Sequence, residues 1–121
     1  SWGDDDRGVA FRLPAASAAN RRVENRLPGG DASPYLTVAA MLGLGLHGLQ
    51  NQMSPLDTPH PLPTKLADTL TALECSTALR DLLGDPLVTL YAAIKRHESA
   101  ERHAVGWPYH RWDFIHLTEQ A

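Results

Sequence analysis

Arg22, Glu24 and Arg26 stand two residues apart in the stretch RRVENRLPGGDASPYL, residues 21–36. If that stretch is extended, its side chains alternate between faces, so these three project from one side and Val23, Asn25 and Leu27 from the other. Arg7 and Arg12 lie a little upstream, and four guanidinium groups gathered on one surface would repel one another unless an anion sits among them. The planar fork of arginine matches the oxygens of a carboxylate or a phosphate. A glutamate within such a set either pairs with the arginines or, joined by further carboxylates, holds a divalent cation that bridges phosphate oxygens. The same comb also describes a solvated sheet surface, and on pattern alone that plainer reading stands ahead.

The elements that must position these residues follow from periodicity and punctuation. In GVAFRLP, residues 8–14, Val9, Phe11 and Leu13 alternate with Ala10 and Arg12, which predicts a half-buried strand closed by Pro14. Residues 22–27 alternate likewise and are expected to pair back as a second strand. Pro28, Gly29 and Gly30 turn the chain, Asp31 or Ser33 caps, and Pro34 suits the first position of a helix over residues 34–52. The segment SPLDTPHPLPT, residues 54–64, holds four prolines and reads as a loop. Helices are expected at residues 66–74, 76–83, 86–103 and 108–117. Leu87, Leu90, Tyr91 and Ile94 are read as the buried face of the third of these.

Bulk properties narrow the function. A chain of 121 residues with a net charge of −3 is expected to form a single compact unit and offers no basic field for nucleic acid or an anionic membrane surface. Neither partner is expected. The lone Cys75 forms no internal disulfide, fits a reducing compartment and is read as a buried, inert thiol, which makes the cytoplasm the expected location. The most apolar stretch, residues 35–49, is broken by glycines and falls short of the roughly 20 residues that span a bilayer. The acidic start SWGDDD lacks the features of a signal peptide, and the absence of an initiator methionine suggests a piece of a longer product.

Beyond these patterns, VENRLPGGDASPYLTVAAMLGLGLHGL, residues 23–49, resembles the signature near the C-terminus of the glutamine synthetase family, in which a glutamate-x-arginine pair precedes a proline-glycine turn and an Ala/Gly-rich helix. SWGDDDRGVAFRLP is similar to the strand before it, with Asp6-Arg7 where the family usually has asparagine-arginine. Residues 62–101 are similar to the family's closing helices. The resemblance implies an α+β fold: two N-terminal strands followed by a mostly helical bundle, forming the C-terminal segment of the catalytic domain. It implies ATP-dependent ligation of ammonia or an amine to the γ-carboxylate of glutamate through a γ-glutamyl phosphate, with Mg2+ or Mn2+ as cofactor. By the same resemblance Glu24 is a metal ligand and Arg26 contacts the glutamyl carboxylate and the transferred phosphate. Arg7 stabilises the phosphoryl group, and Arg12 and Arg22 contact ATP. A homo-oligomer of the full-length protein is implied as well. The family's other metal carboxylates, its metal histidine and its glutamate-binding loops would lie upstream of residue 1, and residues 54–64 contain no tyrosine to match the adenylylation site of some bacterial members.

Other candidates are weaker. HESAE at residues 97–101 has Glu101 where a zinc helix motif needs a second histidine, so solvated helix surface is expected. His47 is read as a hydrogen-bonded core histidine, Tyr35 as a packing residue, and Trp107, Tyr109, Trp112 and Phe114 as anchors of the last helix. His103, His110 and His116 are too loosely spaced to suggest a metal. Two rival functions remain: a truncated, non-catalytic module that binds a protein partner, and a plain nucleotide-binding domain, which lacks the expected glycine-rich phosphate loop.

Overall fold

In the computed structural model of the chain, residues 2–54, 61–105 and 110–117 are described. The fold is α+β and divides into two compact units, Ser1–Leu62 and Pro63–Ala121.

The first unit holds a small sheet and one long helix. Strands β1 (Trp2–Asp4), β2 (Phe11–Leu13) and β3 (Glu24–Asn25) lie side by side in the order β1-β2-β3. The β2–β3 pairing is antiparallel, with Arg12 opposite Glu24. β1 was not foreseen: it is three residues long beside an aspartate run, too short to show a period. It pairs in parallel with β2, Gly3 opposite Arg12, although parallel neighbours usually need a connection of about a dozen residues. The short return is made by local chemistry. Asp5 adopts a left-handed φ of 49° and its N–H donates to the Leu13 carbonyl at 2.9 Å. The Asp6 carboxylate then accepts from the Gly8 N–H at 2.7 Å, closing an Asx turn. This turn consumes residues 8–10 of the expected 8–14 strand. At the other end Asn25 Oδ1 accepts from the Leu27 N–H at 3.1 Å, which bends the chain and stops β3 two residues short of the expected end.

Helix α1 (Pro34–Gln50) begins with Pro34 in its first turn, and the Ser33 carbonyl accepts from the Thr37 N–H at 3.0 Å. It ends two residues before the expected boundary. Gln52 takes φ 52°, and the N–H groups of Gln52 and Met53 donate to Leu49 and Gly48 at 3.2 and 2.9 Å. This paired closure satisfies the last carbonyls and forbids another turn. Substantial contact links β1 with β2 and β2 with β3, whereas α1 has none of that extent with another element. Tyr35, expected to pack, is exposed. His47, expected in the core, is exposed as well, with its Nδ1 3.3 Å from Asn51 Nδ2.

The second unit is helical: α2 (Leu66–Cys75), α3 (Thr77–Leu83), α4 (Asp85–Ala104) and α5 (His110–Leu117). Single residues join the first three. Ser76 ends α2 and caps α3, its hydroxyl accepting from the Leu79 N–H at 3.2 Å. Gly84 ends α3 and precedes α4 with φ 84° and ψ 142°, a backbone region open to glycine and strained for other residues. Gly84→Ala is therefore expected to destabilise this unit by roughly 1–3 kcal/mol, read as an earlier denaturant midpoint. An unchanged midpoint would show that the junction relaxes freely.

The fully buried side chains among the described residues are Leu70, Val88 and Ala92, at 2%, 1% and 0% exposure. The buried face of α4 is thus Val88–Ala92, continued by half-buried Tyr91, Lys95 and Ser99, and not the expected Leu87, Leu90 and Ile94, which are exposed. α2 and α3 both pack on α4. Cys75 is exposed, contrary to expectation. It lies five residues beyond Leu70, which turns it well away from the buried side of α2. Glu74 ties α2 to α4 through a two-pronged bond to Arg96 at 2.7 and 2.5 Å. That hydrogen bond, against the opposing effect of burial, holds the Glu74 carboxyl below its ordinary range. α5 joins α4 through Arg102 and Asp113 at 2.5 Å. The expected helix start at Pro108 and the aromatic residues Trp107 and Tyr109 lie outside the described residues, as do the side chains of Phe114 and His110. Trp112 is half-buried, its ring 4.6 Å from that of His116.

Candidate functional site

The sheet register decides which charges meet. Because Arg12 sits opposite Glu24 on the same face, its Nη1 reaches Glu24 Oε2 at 3.0 Å. Arg22, two residues before Glu24 and on that face, donates from Nε and Nη2 to Glu24 Oε1 at 3.2 and 3.0 Å. The second prong of Arg12 bonds Asp5, which the left-handed turn swings back toward the sheet. Two cations and two anions thus alternate along one surface. The bond from Arg12, more than that from Arg22, depresses the Glu24 carboxyl below its ordinary range even though burial works the other way. The Glu24 bond, then the Asp5 bond, raise the Arg12 guanidinium further above its ordinary value. Its side chain is only 15% exposed, and its Nε is buried with no hydrogen-bond partner among the described residues.

Arg7 and Arg26 are placed differently. They line an open cavity of about 410 Å³ with Gly8, Val9, Ala10, Leu27 and Leu62. The Arg26 N–H donates to the Ala10 carbonyl at 2.9 Å, which pins the end of β3 to the loop before β2. Neither guanidinium has a hydrogen-bond or ion-pair partner among the described residues. The Asp6 carboxylate, although adjacent to Arg7, is spent on the turn that presents it. An asparagine would make the same bond through its side-chain carbonyl.

The five sequence-predicted residues therefore separate into two groups. Arg12, Arg22 and Glu24 form one paired network, and Arg7 and Arg26 line a cavity without a partner among the described residues. Asp5 was missed; its only signal was an acidic run, which says nothing of a left-handed turn. Val9, Leu27 and Leu62, which give the cavity its apolar wall, were also missed as site residues. Within HESAE, His97 and Glu101 are exposed and 3.4 Å apart, whereas Glu98 and Ser99 are half-buried.

As a metal site the donor set is incomplete. Both oxygens of Glu24 already accept from arginines, and no group of three potential ligands occurs among the described residues. A hard divalent cation takes about six oxygen ligands, so these residues alone do not fit one.

Residues 1–114 match the family described as glutamine synthetase, catalytic domain, and the chain belongs to the glutamine synthetase family. It is similar to lengsin of Canis lupus familiaris, 35% identical over 109 residues, which cover 81% of this chain and 19% of that protein. It is similar as well to gamma-glutamylethanolamide synthetase of Streptomyces coelicolor, 36% identical over 108 residues, 81% of this chain and 23% of that one. Gamma-glutamylputrescine synthetase of Escherichia coli is 36% identical over 107 residues, with the same two coverages of 81% and 23%. The chain spans about a fifth to a quarter of the length of these curated relatives. Among the described residues no helix is long and apolar enough to cross a membrane.

Proposed function

We propose that the chain is the C-terminal segment of the catalytic domain of an ATP-dependent ligase that joins ammonia or an amine to the γ-carboxylate of glutamate. Both compact units belong to that one domain, and the full-length protein is a cytoplasmic homo-oligomer. The observation that carries the reading is the cavity lined by Arg7 and Arg26, neither of which has a partner among the described residues, together with the Arg12–Glu24–Arg22 network. Two similar proteins are named for gamma-glutamyl amide synthesis, which supports an amine as the acceptor.

In the proposed reaction a γ-carboxylate oxygen of glutamate attacks the terminal phosphorus of ATP, and ADP departs with the bridging oxygen. The amine nitrogen then attacks the γ-carbonyl carbon, phosphate leaves with its bridging oxygen, and the amine loses a proton. Arg26 binds the glutamyl carboxylate and the moving phosphoryl group. Arg7 neutralises charge on the phosphoryl oxygens, where fixed donors act most strongly as charge develops. Arg12 and Arg22 contact ATP, and their bonds to Glu24 hold both guanidiniums in place beforehand. Magnesium or manganese, if bound, would supply positive charge against the phosphates; Glu24 is the carboxylate here that would help to hold it, and the remaining ligands would have to come from outside these residues.

Calorimetric titration of the chain with ATP and magnesium tests this reading. Saturable heat is expected, and no heat at millimolar ATP would leave the signature as ancestry only. The second reading, a non-catalytic module that binds a protein partner, is favoured by one observation, the uncovered apolar face of α1.

A further inference from the structure

Both terminal nitrogens of Arg12 already hold a carboxylate of the protein itself. Nη1 donates to Glu24 Oε2 at 3.0 Å, and Nη2 bonds Asp5. Nε is buried with no partner among the described residues. The charges of the network also cancel, because Arg12 and Arg22 stand against Glu24 and Asp5. An anion that is to meet the planar fork of Arg12 must therefore take the place of one of the two carboxylates.

The two are not held alike. Glu24 accepts one bond from Arg12 and two from Arg22, and its side chain is 28% exposed. Asp5 accepts from Arg12 alone among the described residues, and its side chain is 55% exposed. Released, the Asp5 carboxylate returns to water at small cost, as the exposed member of an ion pair does. Its backbone does not depend on that bond: Asp5 has a left-handed φ of 49° and donates its N–H to the Leu13 carbonyl at 2.9 Å. We propose that Asp5 is a built-in competitor for the ATP phosphates, holding the fork of Arg12 in the free chain and giving it up when a phosphate arrives. The proposal rests on the ATP reading, in which Arg12 contacts the nucleotide, and adds a restraint on that same site. A triphosphate brings several oxygens and more negative charge than a single carboxylate, which lets it win the exchange. A bracing role for Asp5 would carry the opposite sign, since loss of a brace weakens binding and loss of a competitor tightens it.

The test compares calorimetric titration with ATP and magnesium for the unsubstituted chain, Asp5→Asn and Asp5→Gly. Both replacements accept a left-handed backbone, and circular dichroism verifies that each variant is folded. Either should bind ATP about five- to tenfold more tightly, between the effect of an exposed ion pair and that of a charge-assisted hydrogen bond. Asp4→Asn makes the same change in net charge at the neighbouring exposed position, and its effect should stay within about twofold because exposed charges are screened. Unchanged or weaker binding in a folded Asp5 variant, with ATP still bound by the unsubstituted chain, overturns the competitor and leaves the ATP reading standing. Equal tightening in Asp4→Asn overturns it as well, because the cause would then be the general field. Absence of heat at millimolar ATP in every chain overturns the ATP reading and the competitor with it. Heat in the Asp5 variants alone supports both, with Arg12 open to phosphate once its internal anion is gone.

Discussion

Leu70→Ala is expected to cost the helical unit about 2–5 kcal/mol, the range for removing a buried leucine and leaving a cavity. Leu70 is 2% exposed and lies on α2 where that helix meets α4, next to a core whose other fully buried members, Val88 and Ala92, are small. Such small neighbours have little side chain with which to fill the void. A unit of about 60 residues has a total stability of roughly 3–9 kcal/mol, so the loss would leave α2 to α4 marginal or unfolded. Denaturant titration followed by far-ultraviolet circular dichroism measures it, with Leu82→Ala, at an exposed position of α3, as the control. A change in Leu70→Ala no larger than in the control would mean that α2 is not held by this contact.

Charge reversal at Arg26 should have the largest effect on ligand binding. The variant Arg26→Glu removes one of the two cavity cations that have no partner among the described residues and puts a carboxylate in the cavity that Arg7 also lines. A charge-assisted hydrogen bond contributes about 1.5–3 kcal/mol, so the expected loss in ATP affinity is on the order of 10- to 100-fold. Arg21→Glu makes the same change in net charge at an exposed position outside the cavity, and its effect should stay within a few fold. Equal losses in the two variants would reduce the cavity to part of a diffuse field and remove the basis for assigning Arg26 a contact.

How much of this was legible in the sequence depended on range. The start of α1 could be read because Pro34 and the turn before it act within a few residues, and α2 to α4 because caps and spacing are local. The end of α1 was misjudged because the left-handed turn falls on Gln52, a residue with no special claim to that conformation. The buried face of α4 was misjudged for a different reason. Size suggested Leu87, Leu90 and Ile94, but the approach of α2 and α3 selects Val88 and Ala92, and that selection is a tertiary fact. In the site, the alternation that joins Arg22 to Glu24 was visible, and Arg12 required only the register of one strand pair. The separation of Arg26 from its neighbours was not visible, because it depends on Asn25 bonding the Leu27 N–H.

The three fully buried residues all belong to the second unit, and the first, which holds the arginines, has none among its described residues. Heat capacity reports the exposure of apolar surface. The first unit should therefore contribute little to a calorimetric peak on its own, and the second should dominate the trace.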